Sequence, residues 1–193
     1  LGRAVAEGTF AGGVVPVMKH VPGHGRGTVD SHQALPVVTS DLATLEATDF
    51  VPFAALADLP MAMTAHIVFT AIDPVRPATV SPRVIRDIIR GRINFDGLLM
   101  SDDVSMHALS GDYSARASAI YDAGCDVVLH CNGRTEEMRR IGDAAPALGG
   151  KSQERAASAL RARTEPAPFD RDAARDEFVA LLARANWPAA NVS

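Results

Sequence analysis

Four short apolar runs recur along the chain, and each ends in polar residues able to do chemistry. Val14 to Met18 leads into Lys19-His20, and Met61 to Thr64 into Ala65-His66. Gly97 to Met100 leads into Ser101-Asp102-Asp103, and Asp126 to Leu129 into His130-Cys131-Asn132. The runs are continuous rather than alternating, which suits strands buried on both faces of a parallel sheet. Helical patterns lie between them. Asp41 to Ala57 reads as a helix capped by Ser40 or Asp41 and interrupted at Pro52. Ser81-Pro82 opens another, with Val84, Ile85, Ile88 and Ile89 as its apolar stripe and Gly91 as its stop. Further helices are expected over Ser114 to Ala123, closed by Gly124, over Glu136 to Ala144 and over Ser152 to Arg163. A last one, Arg171 to Ala185, should turn Phe178, Leu181 and Leu182 inward.

Strand–helix alternation of this kind predicts α/β architecture built from βα units. In such folds the C-terminal strand ends form the ligand site, so Lys19, His20, His66 and Asp102 should converge on one mouth. The reading divides the chain at 150: residues 1–150 as a catalytic βα region, 151–193 as a helical segment packed on it.

Composition narrows the function. Of 193 residues 47% are hydrophobic, ample for a core, and the net charge is −4. With a pI near 5.8 and no run of Lys and Arg, nucleic acid is not an expected partner. No apolar run reaches the ~18 residues of a membrane span, so no membrane partner is expected either. Cys125 and Cys131 have neither C-x-x-C nor zinc spacing and read as buried cytosolic thiols. The chain opens at Leu1 inside a helical pattern, so it is expected to be a fragment.

The densest chemistry lies in Lys19-His20-Val21-Pro22-Gly23-His24-Gly25, followed by Asp30-Ser31-His32. Proline and glycines mark an irregular loop, and irregular loops loaded with His, Asp and Lys carry function. In extended backbone Asp30 and His32 point the same way. A carboxylate beside an imidazole fixes its tautomer and favours its charged form, which suits His32 to general acid work. A lone Asp-x-His equally describes a polar turn. Asp102, at the tip of a buried strand, suits a nucleophile, a base or a metal ligand, while Asp103 suits a cap. Retaining glycosidases need a carboxylate nucleophile and a separate proton donor, which Asp102 with His32 would supply. His107 and His130 read as packing residues, and Met106 as core or wall.

These strings together resemble a family. KHVPGHG (19–25), DSH (30–32) with ALP (34–36), MTAH (63–66), PATVSPRVI (77–85), FDGLLMSDDVSM (95–106) and AGCDVVLHCN (123–132) are similar to the glycoside hydrolase family 3 β-N-acetylglucosaminidases (β-N-acetylhexosaminidases) of the bacterial NagZ type. Val21 and Val104 stand where Phe and Leu are usual. The resemblance implies a (β/α)8 TIM-type barrel, here a C-terminal part without the first strands. It implies a retaining hydrolase that removes terminal non-reducing β-linked N-acetylglucosamine, from muropeptide fragments of peptidoglycan, through a glycosyl-aspartate. Asp102 would be the nucleophile, His32 the acid/base and Asp30 its orienting partner. Lys19 and His20 would bind the sugar's hydroxyls, and His66 is placed with them. No cofactor and no metal are expected, and the protein is expected to be cytoplasmic and a monomer at full length. Two rival readings stand beside it. One is a metal-dependent barrel hydrolase with a zinc shell of His20, His24, His66 and Asp102. The other is a truncated, non-catalytic sugar-binding fragment.

Overall fold

The structure, a computed structural model, describes residues 1–29, 34–166 and 168–186. Four parallel strands form one sheet in the order β1 (Val17–Val21), β3 (Met61–Thr64), β5 (Leu98–Asp103) and β6 (Val127–Leu129). A second, two-stranded parallel sheet pairs β2 (Val37–Val38) with β4 (Val68–Phe69). Helices fill the intervals: α1 (Gly2–Ala11), α2 (Leu42–Ala47), α3 (Val51–Ala54), α4 (Tyr113–Ala123), α5 (Thr135–Ala144), α6 (Gly150–Arg161) and α7 (Arg171–Arg184). The core runs under the sheet through Leu45, Ile67, Phe69, Phe95, Leu99 and Ile120, all fully buried.

Local chemistry explains most boundaries. Asp41 caps α2 by accepting the Thr44 amide at 2.7 Å, and Pro52 sits in the first turn of α3, where its missing N–H is harmless. Asp112 caps α4, and Gly124 closes it at φ 108°, a left-handed conformation that suits glycine. A Cβ at Gly97 would meet the Pro60 carbonyl at 2.6 Å, so the turn into β5 needs a residue without one.

Four expectations fail locally, at Gly91, in α7, at Cys131 and at His107. Gly91 does not stop its helix: Val84–Arg92 is a π-helical segment, and Asn94 at φ 60° makes the left-handed turn instead. The four apolar residues expected to face the core do so, and the Ser81 hydroxyl accepts the Val84 amide as a cap. In α7 no residue is buried, and Phe178 and Leu181 are half exposed. Its pattern defines an apolar face, but none of the described residues covers it. Cys125 is buried, which pushes its thiol up to about 12, whereas Cys131 is exposed, as is His107.

Register places the site. Between Met18 and Val21 strand β1 advances three residues while β3 advances two, from Ala62 to Thr64. Between Met100 and Asp103 strand β5 advances three while β6 advances two, from Val127 to Leu129. Each is a one-residue bulge, and bulges re-aim side chains. They fall on Lys19-His20 and on Ser101-Asp102.

Candidate active site

The two bulged tips bring His20 and Asp102 together, with His20 Nε2 3.8 Å from Asp102 Oδ2. Asp102 Oδ1 accepts the Asp103 amide at 2.8 Å. Oδ2 takes no hydrogen bond among the described residues. Among the described residues the carboxylate is therefore held by one oxygen, and its side chain is only 14% exposed. Burial lowers the His20 pKa, against the pull of Asp102, and Lys19, His24 and His66 lower it further. His20 is thus a neutral imidazole near neutral pH, a hydrogen-bonding group rather than a counter-ion. Lys19 is exposed beside it. The Lys19–His20 and Val21–Pro22 peptide bonds are cis.

A cavity of about 370 Å³ opens at this tip, lined by Lys19, His20, His24, Asp49 and Phe53 among others. The larger cavity, about 750 Å³, lies around Pro60 and Gly97, at the opposite end of the sheet from Asp102. The smaller cavity is the one that His20 lines, and Asp102 lies beside His20 without lining the cavity itself. Behind it, Arg26 bonds Asp49 at 2.7 Å and Thr48 at 3.0 Å, clasping the loop that leaves β1 onto the end of α2. The loop returns as β2, beside β4. Asp30, Ser31 and His32, the expected acid/base and its partner, lie outside the described residues.

The other candidates sort by their contacts. Asp103 accepts the Ser105 amide at 3.0 Å, the Ser105 hydroxyl at 2.6 Å and the Cys131 amide at 3.3 Å. Burial pushes its pKa up, but these bonds outweigh it and hold the carboxyl below the ordinary range. His66 is completely buried: Nδ1 lies 2.8 Å from Thr79 Oγ1 and Nε2 3.0 Å from the Asp103 carbonyl. Both its nitrogens are engaged within the protein, so it sits behind the mouth rather than in it. His24 meets His20 edge to face at 6.2 Å. His130 is largely buried and bonds Glu137 at 2.9 Å; Asn132 and His130 together bring the Glu137 carboxyl down to about 2.

The zinc shell does not assemble: among the described residues no three His, Cys, Asp or Glu are grouped to hold a metal. Among them, too, no helix is long and apolar enough to cross a membrane. Thr64 and Thr79 were not singled out by the sequence, because a threonine in a β-rich run is ordinary until its partners are known.

Residues 1–162 match the glycosyl hydrolase family 3 N terminal domain. A β-hexosaminidase of Methylococcus capsulatus is 40% identical over 191 residues, which cover 96% of this chain and 53% of that protein. The chain thus spans about half the length of this curated relative. A glycoside hydrolase family 3 β-N-acetylglucosaminidase from Paenibacillus superposes with a TM-score of 0.78 at 28% identity, over 89% of this chain and 36% of that one. NagZ from Neisseria gonorrhoeae, in complex with N-trifluoroacetyl-D-glucosamine, superposes with a TM-score of 0.73 at 32% identity, over 86% and 48%. The common architecture is the (β/α)8-type barrel, of which β1, β3, β5 and β6 form a contiguous part.

Proposed function

The chain belongs to glycosyl hydrolase family 3, and from that premise we propose that it carries the chemical strands of a retaining β-N-acetylhexosaminidase. The observation that carries the reading is Asp102, fixed at a bulged strand tip with one oxygen hydrogen-bonded and the other, among the described residues, without a hydrogen bond and 3.8 Å from the His20 imidazole. In this mechanism Asp102 Oδ2 attacks the anomeric carbon of a terminal β-linked N-acetylglucosamine and forms a glycosyl-aspartate. His32 donates a proton to the departing glycosidic oxygen, then takes one from the attacking water, while Asp30 orients it. Lys19 and His20 hold the sugar's hydroxyls, the first as a charged donor at the rim, the second as a neutral donor or acceptor.

The likeness to NagZ-type enzymes supports a substrate drawn from peptidoglycan, namely muropeptide fragments with terminal N-acetylglucosamine, a cytoplasmic location and a monomeric whole protein. Among the described residues a metal shell has no assembled donor set in its favour.

Nitrophenol release from an aryl N-acetylglucosaminide tests the reading. Asp102→Ala should lower kcat by about 10⁶-fold, the scale seen when a nucleophile is removed, with the fold intact by circular dichroism. A slow fluorinated N-acetylglucosaminide should label Asp102, and label on any other residue overturns the assignment. Cleavage of a muropeptide faster than of chitobiose would support the cell-wall substrate.

A further inference from the structure

The bulge in β5 takes the Asp102 amide out of the regular ladder, and a side chain receives it instead. That amide donates to Thr64 Oγ1 at 3.3 Å. Thr64 Oγ1 lies 2.9 Å from Thr79 Oγ1, and Thr79 Oγ1 lies 2.8 Å from His66 Nδ1. His66 Nε2 lies 3.0 Å from the Asp103 carbonyl. The four bonds form a ring that leaves the backbone at the Asp102 amide and rejoins it at the carbonyl of the next residue, Asp103. Thr64, His66 and Thr79 are all completely buried. Thr79 is brought there by the 3-10 turn Ala78–Val80, whose Ala78 amide bonds the Ile67 carbonyl at 2.8 Å.

The directions of these bonds follow from what each atom can do. An amide only donates, so Thr64 Oγ1 accepts, and its own hydrogen is left for Thr79. A carbonyl only accepts, so His66 Nε2 carries a hydrogen. A neutral imidazole then has a bare Nδ1, which the Thr79 hydroxyl satisfies. The Ala65 carbonyl also lies 3.0 Å from Thr79 Oγ1. Were the proton there, His66 would need hydrogens on both nitrogens, an imidazolium in a site that burial makes hostile to it.

We propose that Thr64, Thr79 and His66 are positioning residues for Asp102, a directed ring of hydrogen bonds that holds the bulged tip of β5 from behind. The inference rests on the reading of Asp102 as nucleophile. The ring touches no substrate. It holds the peptide that enters the nucleophile and, with the Met106 amide, the peptide that leaves Asp103, and it defines His66 as the Nε2–H tautomer. It also gives His66 a task that does not require it to reach a sugar.

The test uses the intact protein and the variant Thr79→Val, which keeps the shape and removes the hydroxyl. Misplacement of a reacting group by about 1 Å costs on the order of 10²-fold, so kcat on the aryl N-acetylglucosaminide should fall by about that factor with KM little changed. Trapping by the fluorinated glycoside should slow in parallel, and Thr79→Ser should restore most of the rate. A ring that served only stability would lower Tm and leave kcat per folded molecule unchanged, and that result overturns the proposal. Should Thr79→Val fail to fold, nitrogen NMR of the unaltered protein decides: a protonated Nε2 and a bare Nδ1 on His66 support the ring, and any other state overturns it. Loss of activity in Asp102→Ala with wild-type kcat in Thr79→Val overturns the positioning role alone. Full activity in Asp102→Ala overturns the reading of Asp102 first, whatever the tautomer.

Discussion

At the N-terminal end of the sheet, Asp126 precedes β6 and accepts four hydrogen bonds. Arg90 Nη2 and the Leu99 amide reach Oδ2 at 2.8 Å each; the Ser152 hydroxyl and Arg155 Nη1 reach Oδ1 at 2.7 and 3.1 Å. At the C-terminal end, among the described residues, Asp102 has one oxygen bonded and its nearest cation-forming neighbour at 3.8 Å. Both are aspartates at strand ends in one sheet. The first is saturated and ties the Val84–Arg92 segment, β5, β6 and α6 into one body. The second is left with capacity for a reaction. A buried carboxylate that stabilises must be fully paired, whereas one that reacts must keep an oxygen available. In parallel βα folds the two ends divide these tasks.

The contrast is broken most strongly by removing the saturated carboxylate. Asp126→Ala leaves Arg90 and Arg155 facing each other without their shared anion. Taking one partner from a buried ion pair costs about 3–5 kcal/mol. Urea unfolding of the intact protein should show that loss, while kcat per folded molecule stays near wild type. Asp102→Asn should do the reverse. Its lost charge makes no hydrogen-bonded ion pair among the described residues, so the unfolding midpoint should hardly move while activity collapses. Equal effects of the two variants on stability would dissolve the distinction.

A smaller effect separates the two ends by pH. Burial lowers the pKa values of His20 and His66 below the ordinary 6.5. As the pH falls through that value the unfolded chain takes up protons that the folded protein refuses, so stability declines with acid until the folded-state pKa values are reached. The Asp126 network contains no histidine and adds nothing to this window. The expected outcome is a falling Tm from about pH 7.5 to about pH 5.5, with a shallower slope in His66→Gln. An unchanged slope in that variant would mean that His66 takes up its proton as readily folded as unfolded.

How much of this was legible in the sequence depended on the range of the interaction. Strand tips were legible because four apolar runs end in polar residues, and Asp41 and Gly124 because caps act within one turn. The bulges were not, since one extra residue in β1 or β5 shows only against its neighbour strand. The Thr64–Thr79–His66 ring joins segments whose proximity only folding creates, so His66 read as a sugar ligand by its place at a strand end. Asp126 read as the edge of an apolar run, because its partners Arg90 and Arg155 lie far from it along the chain. In α7, by contrast, Phe178, Leu181 and Leu182 mark an apolar face, and the pattern carries no information on whether anything covers it.

That last point yields the smallest expected effect and the sharpest control. Phe178 is 53% exposed and Leu181 51%, whereas Ile120 in α4 is 0% exposed. Truncating Ile120 to Ala should cost about 2–5 kcal/mol through lost burial and the cavity left behind. Phe178→Ser and Leu181→Ser should each stay within about 0.5 kcal/mol, as exposed positions do. All three residues are equally apolar in sequence, so the difference isolates coverage from composition. The denaturation midpoints of the three variants measure it, and a loss in Phe178→Ser comparable to that in Ile120→Ala would place α7 against a partner surface in the intact protein.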